Sequence, residues 1–478
     1  MIIRMISNDL SIDVECDESN LYQKLGESFK LFSPTCNVVA ETPYGNAEYQ
    51  LIKSAGAFFV REVYNYIDMP LPDKFATVYL VMVNPEHNNY KFYKLEDNND
   101  GENVLATYGR IGAGPNEMFG TRTHLYPRNM YYIKLMEKMN KGYQDMTDFY
   151  ITDNEEKSEN QNIPDPSVNK STTTNTVSEE LYSLLKKYSK HYISKTLRNE
   201  VVTEKMVNEA KRLLAEMYDL DTSKGVDEFN KILLKIMAIS PRKVDNVSKL
   251  LAVDASDVSE IINREETLIM AMEAVAQKEP SRHSKMPQET FSNFGIKVFE
   301  ATDKQRQEVL KHLSDNLKPL VKKIYRVIPT DQKKKFNNYL KNNNIHKVKQ
   351  LWHGSRNENW LSIINNGLLL KPNAVITGKM LGNGIYFAPS SMKSWGYTSY
   401  SGSYWAGGNS DTAFMGLYAC AYGTPKDVTL PGNYNQRILN SEGCNCVHAH
   451  AGPYLRNDEI VFYDEAAMLL NYIVEFKK

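Results

Sequence analysis

Alternating apolar and polar residues predict a small antiparallel sheet in the first part of the chain. The run VYLVMVN at Val78–Asn84 is short and rich in β-forming residues, and an Asn-rich turn separates it from KFYKLE and VLATYGRIG. Strands of this length, joined by Asn and Gly turns, favour antiparallel pairing. The segment 130–139 that follows places four apolar side chains on one helical face: Tyr132, Leu135, Met136 and Met139.

A helical periodicity marks the middle of the chain, residues 179–288. Apolar residues recur there at the i, i+3, i+4 and i+7 positions that one face of a helix requires. Thr203 is placed to cap the first of these helices, and Pro241 is expected to end the next one. The first helix carries its apolar residues at five positions: Met206, Ala210, Leu213, Leu214 and Met217. We therefore predict an all-α domain here.

The last part of the chain, residues 289–478, mixes strand and helix patterns. MGLYACAYG at Met415–Gly423 is an almost continuous apolar run, which is typical of a strand buried on both faces. EIVFYD and YIVEF predict two more strands close to the C-terminus. We therefore expect a mixed α/β domain, so that the whole chain is a multidomain α+β protein.

Two segments are not assigned to a folded domain: a polar stretch, and residues 1–73, whose strand and helix patterning is mixed. Residues 153–178 are rich in Asn, Ser, Thr, Glu and Pro and contain almost no apolar residues. Such a segment cannot bury enough surface to offset its ordering entropy, so we interpret it as a flexible linker. Residues 1–73 contain Cys16 and Cys36 but no recognisable motif, and they stay unassigned.

Composition limits the setting of the protein. A chain of 478 residues corresponds to about two to four domains. No apolar run approaches the roughly 18–20 residues that a membrane span needs, so we expect no membrane partner. Five cysteines are few and odd in number, which favours a reducing, intracellular compartment: the nucleus in a eukaryote and the cytoplasm otherwise. A net charge of −1 means that any nucleic-acid-binding surface must be local.

The candidate chemistry lies in three short segments of the last part. LWHGSR contains His353, GNGIYFAPSSMKS contains Tyr386, and NDEIVFYD contains Glu459. Together they resemble the catalytic domain of the poly(ADP-ribose) polymerase family, the His-Tyr-Glu class of ADP-ribosyltransferases. The resemblance implies an NAD-dependent glycosyltransferase that cleaves the nicotinamide bond and transfers ADP-ribose to an acceptor. It implies no Rossmann fold, and no GxGxxG motif opens a helix after a strand in this sequence.

The resemblance also implies roles for the residues around the NAD site. His353 would hydrogen-bond a ribose 2′-hydroxyl, and Ser355 would add a second ribose contact. Gly354, without a side chain, would let its backbone approach the nicotinamide carboxamide. Tyr386 and Tyr397 would stack on the two faces of the nicotinamide ring, with each stack contributing on the order of 1 kcal/mol.

Three more positions complete this set. Ser394 would bond the carboxamide oxygen, and Lys393 would line the acceptor side of the site. Glu459 would stabilise the developing ribosyl cation and polarise the hydroxyl of an incoming ADP-ribose, which is the step that permits polymer growth. The neighbouring Asp458 is an alternative for this carboxylate. Leu369 departs from the family, which often has Arg on the adenosine side of the site.

A second resemblance concerns the predicted N-terminal sheet. TYGRIGAG at Thr107–Gly114 stands where a WGR domain carries its name-giving motif, with Tyr108 in place of Trp. In that family the WGR domain contacts DNA ends or breaks, so Tyr108 and Arg110 are the implied nucleic-acid-binding residues. A basic stretch at residues 304–349, with thirteen basic and three acidic residues, is either a further phosphate-binding surface or a solvated face.

A metal site is the remaining candidate. Cys444, Cys446, His448 and His450 alternate along GCNCVHAHAG, a spacing tighter than the usual zinc pattern. The same segment resembles a part of the transferase that binds no metal. We therefore expect no metal.

These observations predict five parts of the chain. They are an unassigned segment (1–73), a WGR-like nucleic-acid-binding domain (74–152), a linker (153–178), a helical regulatory domain (179–288) and a catalytic domain (289–478). The predicted function is NAD-dependent protein ADP-ribosylation that forms poly(ADP-ribose) and responds to DNA damage through the WGR-like domain. Acceptors would be other proteins and the chain itself. Two alternatives are a mono-ADP-ribosyltransferase and a nucleic-acid-binding scaffold with an inactive transferase.

Overall fold

The computed structural model describes residues 2–7, 10–15, 37–42, 45–54, 57–62, 72–111, 121–150, 176–198, 201–276, 290–370 and 380–478. The predicted linker, residues 153–178, lies outside these ranges except for its last three residues, which begin a helix. The chain forms two compact units: residues 1–165 with 237–250, and residues 166–236 with 251–478. Among the described helices, none combines the length and apolar character needed to cross a membrane.

The segment that the sequence left unassigned contains a five-stranded antiparallel sheet in the order β2-β1-β3-β4-β5. Its strands are β1 (Ile2–Ser7), β2 (Leu10–Glu15), β3 (Asn37–Thr42), β4 (Gly45–Ser54) and β5 (Ala57–Glu62).

The predicted N-terminal sheet and helix are confirmed in the first unit. The sheet order is β10-β6-β7-β8-β9. Along β7, Tyr93 and Leu95 are buried, whereas the intervening Lys94 pairs with Glu96 at 2.9 Å. The elements are β6 (Val78–Asn84), β7 (Asn89–Asp97), β8 (Asn103–Arg110), β9 (Arg122–Pro127), α1 (Tyr131–Asn140), β10 (Gln144–Asp145) and α2 (Thr147–Tyr150).

Two helices of the helical segment begin and end near the residues that predict their ends. Thr203 accepts a hydrogen bond from the Met206 amide at 3.2 Å, which satisfies a free N–H of the first turn. One helix ends two residues before Pro241, as that residue predicts. The helices are α3 (Thr176–Thr196), α4 (Glu204–Tyr218), α5 (Asp227–Ile239) and α6 (Val258–Val275).

The last part of the chain contains two sheets, in the orders β11-β12-β19-β15-β13 and β14-β18-β17-β16. Neighbouring strands are antiparallel, except that β16 and β17 are parallel. The strands are β11 (Ile296–Glu300), β12 (Val321–Pro329), β13 (Lys349–Gly354), β14 (Ile385–Phe387), β15 (Thr412–Cys420), β16 (Pro425–Val428), β17 (Cys446–Ala449), β18 (Glu459–Phe462) and β19 (Met468–Lys477).

Helices cover these sheets, and one strand is buried along its whole length. Every residue of β15 is buried, as the apolar run predicts. The predominantly antiparallel pairing agrees with a fold that is not of the Rossmann type. The helices of this part are α7 (Asp303–Lys311), α8 (Thr330–Asn342), α9 (Trp360–Asn366), α10 (Ser391–Trp395) and α11 (Gln436–Ser441).

The packing does not follow the predicted border between the helical and catalytic domains. Leu181 and Leu185 of α3 are fully buried in the same core as Trp360 and Phe414. Residues 237–250, by contrast, belong to the first unit. The segment 179–288 is therefore not one separate compact body, because its apolar faces are buried against different parts of the chain.

Candidate active site

His353 lies near the end of β13 and is held by the backbone of the next strand. Its Nδ1 is 3.1 Å from the carbonyl oxygen of Tyr386. A carbonyl oxygen only accepts, so Nδ1 carries the proton and Nε2 is the acceptor of the ring. Burial lowers the pKa of His353 to about 4, so the imidazole is neutral near pH 7.

Aromatic residues surround this imidazole and explain its low pKa. The ring centroids of Phe387, Tyr418 and Trp360 lie 5.6, 6.2 and 6.4 Å from that of His353. These apolar rings exclude the water that would solvate an imidazolium. His353 is therefore fixed as a neutral hydrogen-bond acceptor, the form that a ribose hydroxyl requires.

Gly354 is required by the close approach of β13 to α10. A Cβ at this position would lie 1.9 Å from the carbonyl oxygen of Ser394, a backbone atom that cannot move aside. The Ser394 hydroxyl donates to the carbonyl oxygen of Trp352 at 3.0 Å and fastens the same junction. Ser355, the next residue, accepts a hydrogen bond from Asn359 Nδ2 at 3.1 Å.

Tyr386 is held at its hydroxyl end by a tight turn. The hydroxyl donates to the carbonyl oxygen of Gly382 at 2.8 Å and accepts from the Leu381 amide at 3.2 Å. Gly382 has a φ of +81°, a conformation that favours glycine. At Gly384, a Cβ would lie 2.3 Å from the Val461 side chain. Both glycines of the GNGIY motif are therefore required by the local backbone, and they position the phenol ring of Tyr386.

Tyr397 presents an exposed ring near the same carboxylate. Its relative exposure is 42%, and Trp405 stacks along it with centroids 6.1 Å apart and planes at 17°. Partial burial of its hydroxyl, with the charge of Glu459 as a second cause, raises the pKa of Tyr397 to about 12. Burial also raises the pKa of Tyr386, with Glu459 and Tyr397 contributing. The two tyrosines and the glutamate therefore share one electrostatic environment.

Glu459 opens β18 and forms an ion pair with Lys393. Lys393 Nζ lies 2.5 Å from Glu459 Oε1, and the two side chains are only 11% and 12% exposed. The same ammonium donates to the carbonyl oxygen of Asn457 at 3.0 Å. A carboxylate shielded from solvent interacts strongly with a nearby positive charge, which is what ribosyl transfer requires.

Asp458, the alternative carboxylate, has different partners. Its Oδ2 lies 3.1 Å from His448 Nε2, and its Oδ1 accepts from the Ala451 amide at 2.8 Å. The geometry therefore favours Glu459 over Asp458 as the carboxylate of this site.

The predicted nucleic-acid residues lie in the first unit, on β8. Tyr108 stacks with Tyr93 at a centroid distance of 5.8 Å and an angle of 22°. Arg110 Nη2 donates to the carbonyl oxygen of Asp245 at 3.3 Å. Arg110 therefore contacts the segment 237–250, a partner that the sequence did not indicate.

The basic stretch at residues 304–349 does not form one continuous helical face, because it is divided among α7, β12 and α8. Several of its lysines have acidic partners; Lys311 lies 2.7 Å from Glu308, and Lys322 lies 2.7 Å from Glu475. These pairings favour a solvated surface over a phosphate-binding surface for the paired lysines.

Sequence reasoning missed two aromatic residues in the loop 399–411. Tyr404 and Trp405 are 79% and 63% exposed, and their rings meet edge to face. The motif SYWAGG could have indicated their exposure. Two adjacent aromatic residues in a Gly- and Ser-rich loop have no strand or helix to bury them. On the adenosine side, Leu369 is 52% exposed.

Comparisons with known proteins agree with this geometry. Residues 303–407 match the model of the poly(ADP-ribose) polymerase catalytic domain, and residues 76–150 match that of the WGR domain. The first match includes His353, Tyr386, Lys393, Ser394 and Tyr397 and ends before Glu459.

Individual relatives include viral and cellular proteins. The "Putative poly [ADP-ribose] polymerase-like 100L" of Invertebrate iridescent virus 6 is 29% identical over 182 residues, which are 35% of this chain and 94% of that protein. "Uncharacterized protein 101L" of the same virus is 24% identical over 213 residues, 43% of this chain and 80% of that protein. Human "Poly [ADP-ribose] polymerase 2" is 52% identical over 54 residues, 11% of this chain and only 9% of the human protein. The chain therefore matches a WGR domain and a poly(ADP-ribose) polymerase catalytic domain, in this order along the sequence.

Proposed function

We propose that this chain transfers ADP-ribose from NAD⁺ to proteins, extends it into a polymer, and is activated by nucleic-acid ends. The observation that carries the polymerase part is the shielded Lys393–Glu459 ion pair, whose carboxylate also acts on the pKa of Tyr386 and Tyr397. A carboxylate beside two aromatic rings suits a site that binds nicotinamide and stabilises a ribosyl cation.

In the proposed reaction, the bond between the ribose anomeric carbon and the nicotinamide nitrogen breaks. The bonding electrons leave with nicotinamide, and the positive charge moves to the ribose. Tyr386 and Tyr397 hold the leaving ring by stacking. His353 Nε2 accepts from a ribose hydroxyl, because its Nδ1–H is already bonded to a backbone carbonyl. The acceptor oxygen then bonds to the anomeric carbon and releases its proton.

Glu459 has two roles in this proposal. Its carboxylate stabilises the cationic transition state, and Lys393 keeps it in place through a 2.5 Å contact. When the acceptor is a ribose hydroxyl of a bound ADP-ribose unit, the same carboxylate accepts the hydrogen bond of that hydroxyl. Polymer growth therefore depends on Glu459 more than the first transfer does.

Gel analysis with labelled NAD⁺ tests this part. The wild type with nicked duplex DNA should give a ladder of modified protein, and Glu459→Gln should give at most a single mass shift. Glu442→Gln is the matched control, since Glu442 pairs with Lys426 at 2.6 Å in another part of the same unit. No product from the wild type would overturn the transferase, and a single wild-type shift would overturn polymer formation and favour mono-ADP-ribosylation.

Activation by nucleic-acid ends rests on the first unit. Its WGR match spans residues 76–150, and Tyr108 and Arg110 lie together at the end of β8. Residues 237–250, which are the end of α5 and the segment that follows it, belong to the same compact unit. This membership supports a helical segment that responds to what the WGR domain binds.

Binding of a labelled nicked duplex, followed by fluorescence anisotropy, tests the activation. Arg110→Ala should weaken binding and reduce DNA-stimulated NAD⁺ turnover, and the salt dependence of binding should become shallower. Lys224→Ala removes an equally positive, 87% exposed side chain from the other unit and should change neither quantity. Equal binding by Arg110→Ala and the wild type contradicts this role. Tight DNA binding without NAD⁺ turnover would favour an inactive scaffold.

A further inference from the structure

Two histidines of the C-terminal sheet lie side by side on and just after the strand that pairs with β18. His448 is on β17, and His450 is the first residue after that strand. Their ring centroids are 4.1 Å apart with planes at 37°. Neighbouring imidazoles at this distance repel one another when both are protonated, whereas a shared cation or neutral rings avoid that cost.

One carboxylate faces both rings from the adjacent strand β16. Asp427 Oδ1 lies 2.7 Å from His450 Nε2 and 3.6 Å from His448 Nδ1. One ligand atom from each of the three residues lies within 4.8 Å of the other two. In a tetrahedral zinc site with bonds of about 2.0–2.1 Å, ligand atoms are separated by about 3.4 Å. The observed separations bracket that value, so small side-chain rotations would complete the site.

A second carboxylate faces the opposite nitrogens of the same rings. Asp458 Oδ2 lies 3.1 Å from His448 Nε2 and 3.7 Å from His450 Nδ1. Its other oxygen is fixed by the Ala451 amide. Histidines that bind a metal through one nitrogen commonly donate the other N–H to a carboxylate, which fixes the tautomer and the ring orientation. Asp458 is placed to do this for both rings.

The cysteines of the same segment are not part of this group. Cys446 Sγ lies 3.4 Å from the carbonyl oxygen of Tyr422, and Cys444 Sγ lies 3.7 Å from that of Glu442. The expectation of no metal considered a set of two cysteines and two histidines along one strand. The structure instead combines the two histidines with an aspartate from a different strand, which the linear spacing could not show.

We propose that Asp427, His448 and His450 bind a divalent transition-metal ion, with Asp458 orienting the two imidazoles. Two imidazoles and one carboxylate suit Zn²⁺, which leaves a fourth position for a water molecule. The ion would join β16 to β17 at the edge of the four-stranded sheet. Since Asp458 directly precedes Glu459, the ion would also stiffen the start of β18.

The competing interpretation is a hydrogen-bond chain without a metal. The Tyr422 hydroxyl lies 2.8 Å from His448 Nδ1, so a chain from Asp458 through His448 to Tyr422 accounts for three of the groups. Such a chain does not need Asp427 or His450. The two interpretations therefore differ in what Tyr422→Phe and His450→Gln should do.

Titration of the chelator-treated full-length chain with Zn²⁺ by calorimetry, and with Co²⁺ by visible absorption, tests the proposal. The wild type should bind one equivalent, with the intense Co²⁺ bands of a four-coordinate site, and Zn²⁺ should raise its melting temperature. Asp427→Asn and His450→Gln should lose at least tenfold in affinity, and Asp458→Asn should lose about 10–100-fold. Tyr422→Phe should bind at least as tightly as the wild type, because it frees the lone pair of His448 Nδ1.

His346→Gln is the matched control, since His346 is an exposed histidine of the same unit outside the cluster. It should bind Zn²⁺ as the wild type does. His450 is 40% exposed at its side chain, so its substitution should leave the fold intact, and circular dichroism checks this. Absence of Zn²⁺ binding by the wild type at micromolar concentrations would overturn the proposal. Equal affinities of the wild type and His450→Gln would do the same.

Discussion

Single atoms decide the properties of His353 and Gly354, the predicted NAD-binding residues on β13. The hydrogen on His353 Nδ1 is fixed by the Tyr386 carbonyl, which leaves Nε2 to accept. The missing Cβ of Gly354 lets the Ser394 carbonyl approach the backbone. Sequence motifs implied that both residues contact NAD, but they could not show these reasons, because each depends on a segment more than thirty residues further along the chain.

The first prediction concerns Gly354. In Gly354→Ala the new Cβ would lie 1.9 Å from a backbone oxygen, so β13 and α10 must separate, at a cost of about 1–3 kcal/mol. We expect a lower melting temperature and loss of NAD⁺ turnover. Gly452→Ala is the control, since its nearest neighbouring atom would be 4.0 Å away. Turnover by Gly354→Ala close to the wild-type rate would contradict the close approach.

The second prediction concerns the protonation of His353. Its pKa is lowered by burial to about 4 in the folded chain, against about 6.5 in the unfolded chain. As the pH falls, the unfolded state is therefore protonated before the folded state is. The stability contributed by neutral His353 is fully present above pH 6.5 and is lost as the pH falls towards 4. Between those values the loss should be about 2–3 kcal/mol.

Urea unfolding at several pH values measures this loss. The free energy of unfolding of the wild type should fall more steeply between pH 7 and 4 than that of His353→Gln. His346→Gln, which removes an exposed histidine, should keep the steep wild-type dependence. Parallel curves for the wild type and His353→Gln would show that the imidazole is not held neutral.

At the scale of elements, periodicity predicted the strands and helices well wherever one face is buried. β6, β7 and β8, the Thr203 cap and the buried strand β15 all agree with the sequence. The sheet of residues 2–62 was not predicted, since its sequence lacks a motif. The partners of α3 could not be predicted either, because an apolar face does not specify which surface will cover it.

The third prediction follows from the shared core of α3 and the catalytic sheets. Leu185 is fully buried there with Phe414 and Trp360, so Leu185→Ala should lower the free energy of unfolding by about 2–5 kcal/mol. Ser183→Ala, on the exposed side of α3, should change it little. We expect near-UV and far-UV circular dichroism to report the same shifted transition. If Leu185→Ala left the unfolding transition of the catalytic domain unchanged, α3 would be shown to fold separately from that domain.

At the scale of the whole molecule, the compact units are not continuous stretches of the chain. Residues 237–250 are the end of α5 and the segment that follows it, yet they belong to the unit that contains the WGR sheet. Tyr90, fully buried on β7, donates to the Met237 carbonyl oxygen at 2.7 Å and accepts from the Arg242 amide at 2.7 Å. Tyr150 donates to the Ala238 carbonyl oxygen at 2.9 Å. A domain boundary predicted from helical periodicity cannot show this membership. The hydroxyls that hydrogen-bond residues 237–250 belong to tyrosines that are distant in the sequence.

The last prediction tests whether Tyr90 holds that segment. Tyr90→Phe leaves a buried carbonyl and a buried amide without the hydroxyl that both contact, which costs about 1–3 kcal/mol for each group left unsatisfied. Amide hydrogen exchange should therefore become faster within residues 237–250 and change little in α6, which belongs to the other unit. Tyr143→Phe, after α1, should leave both rates as they are. If α6 exchanged faster to the same extent, the helical segment would be opening as one body, and its division between two units would not describe the molecule in solution. Selective exchange would instead show that Tyr90 fastens residues 237–250 to the WGR sheet independently of α6.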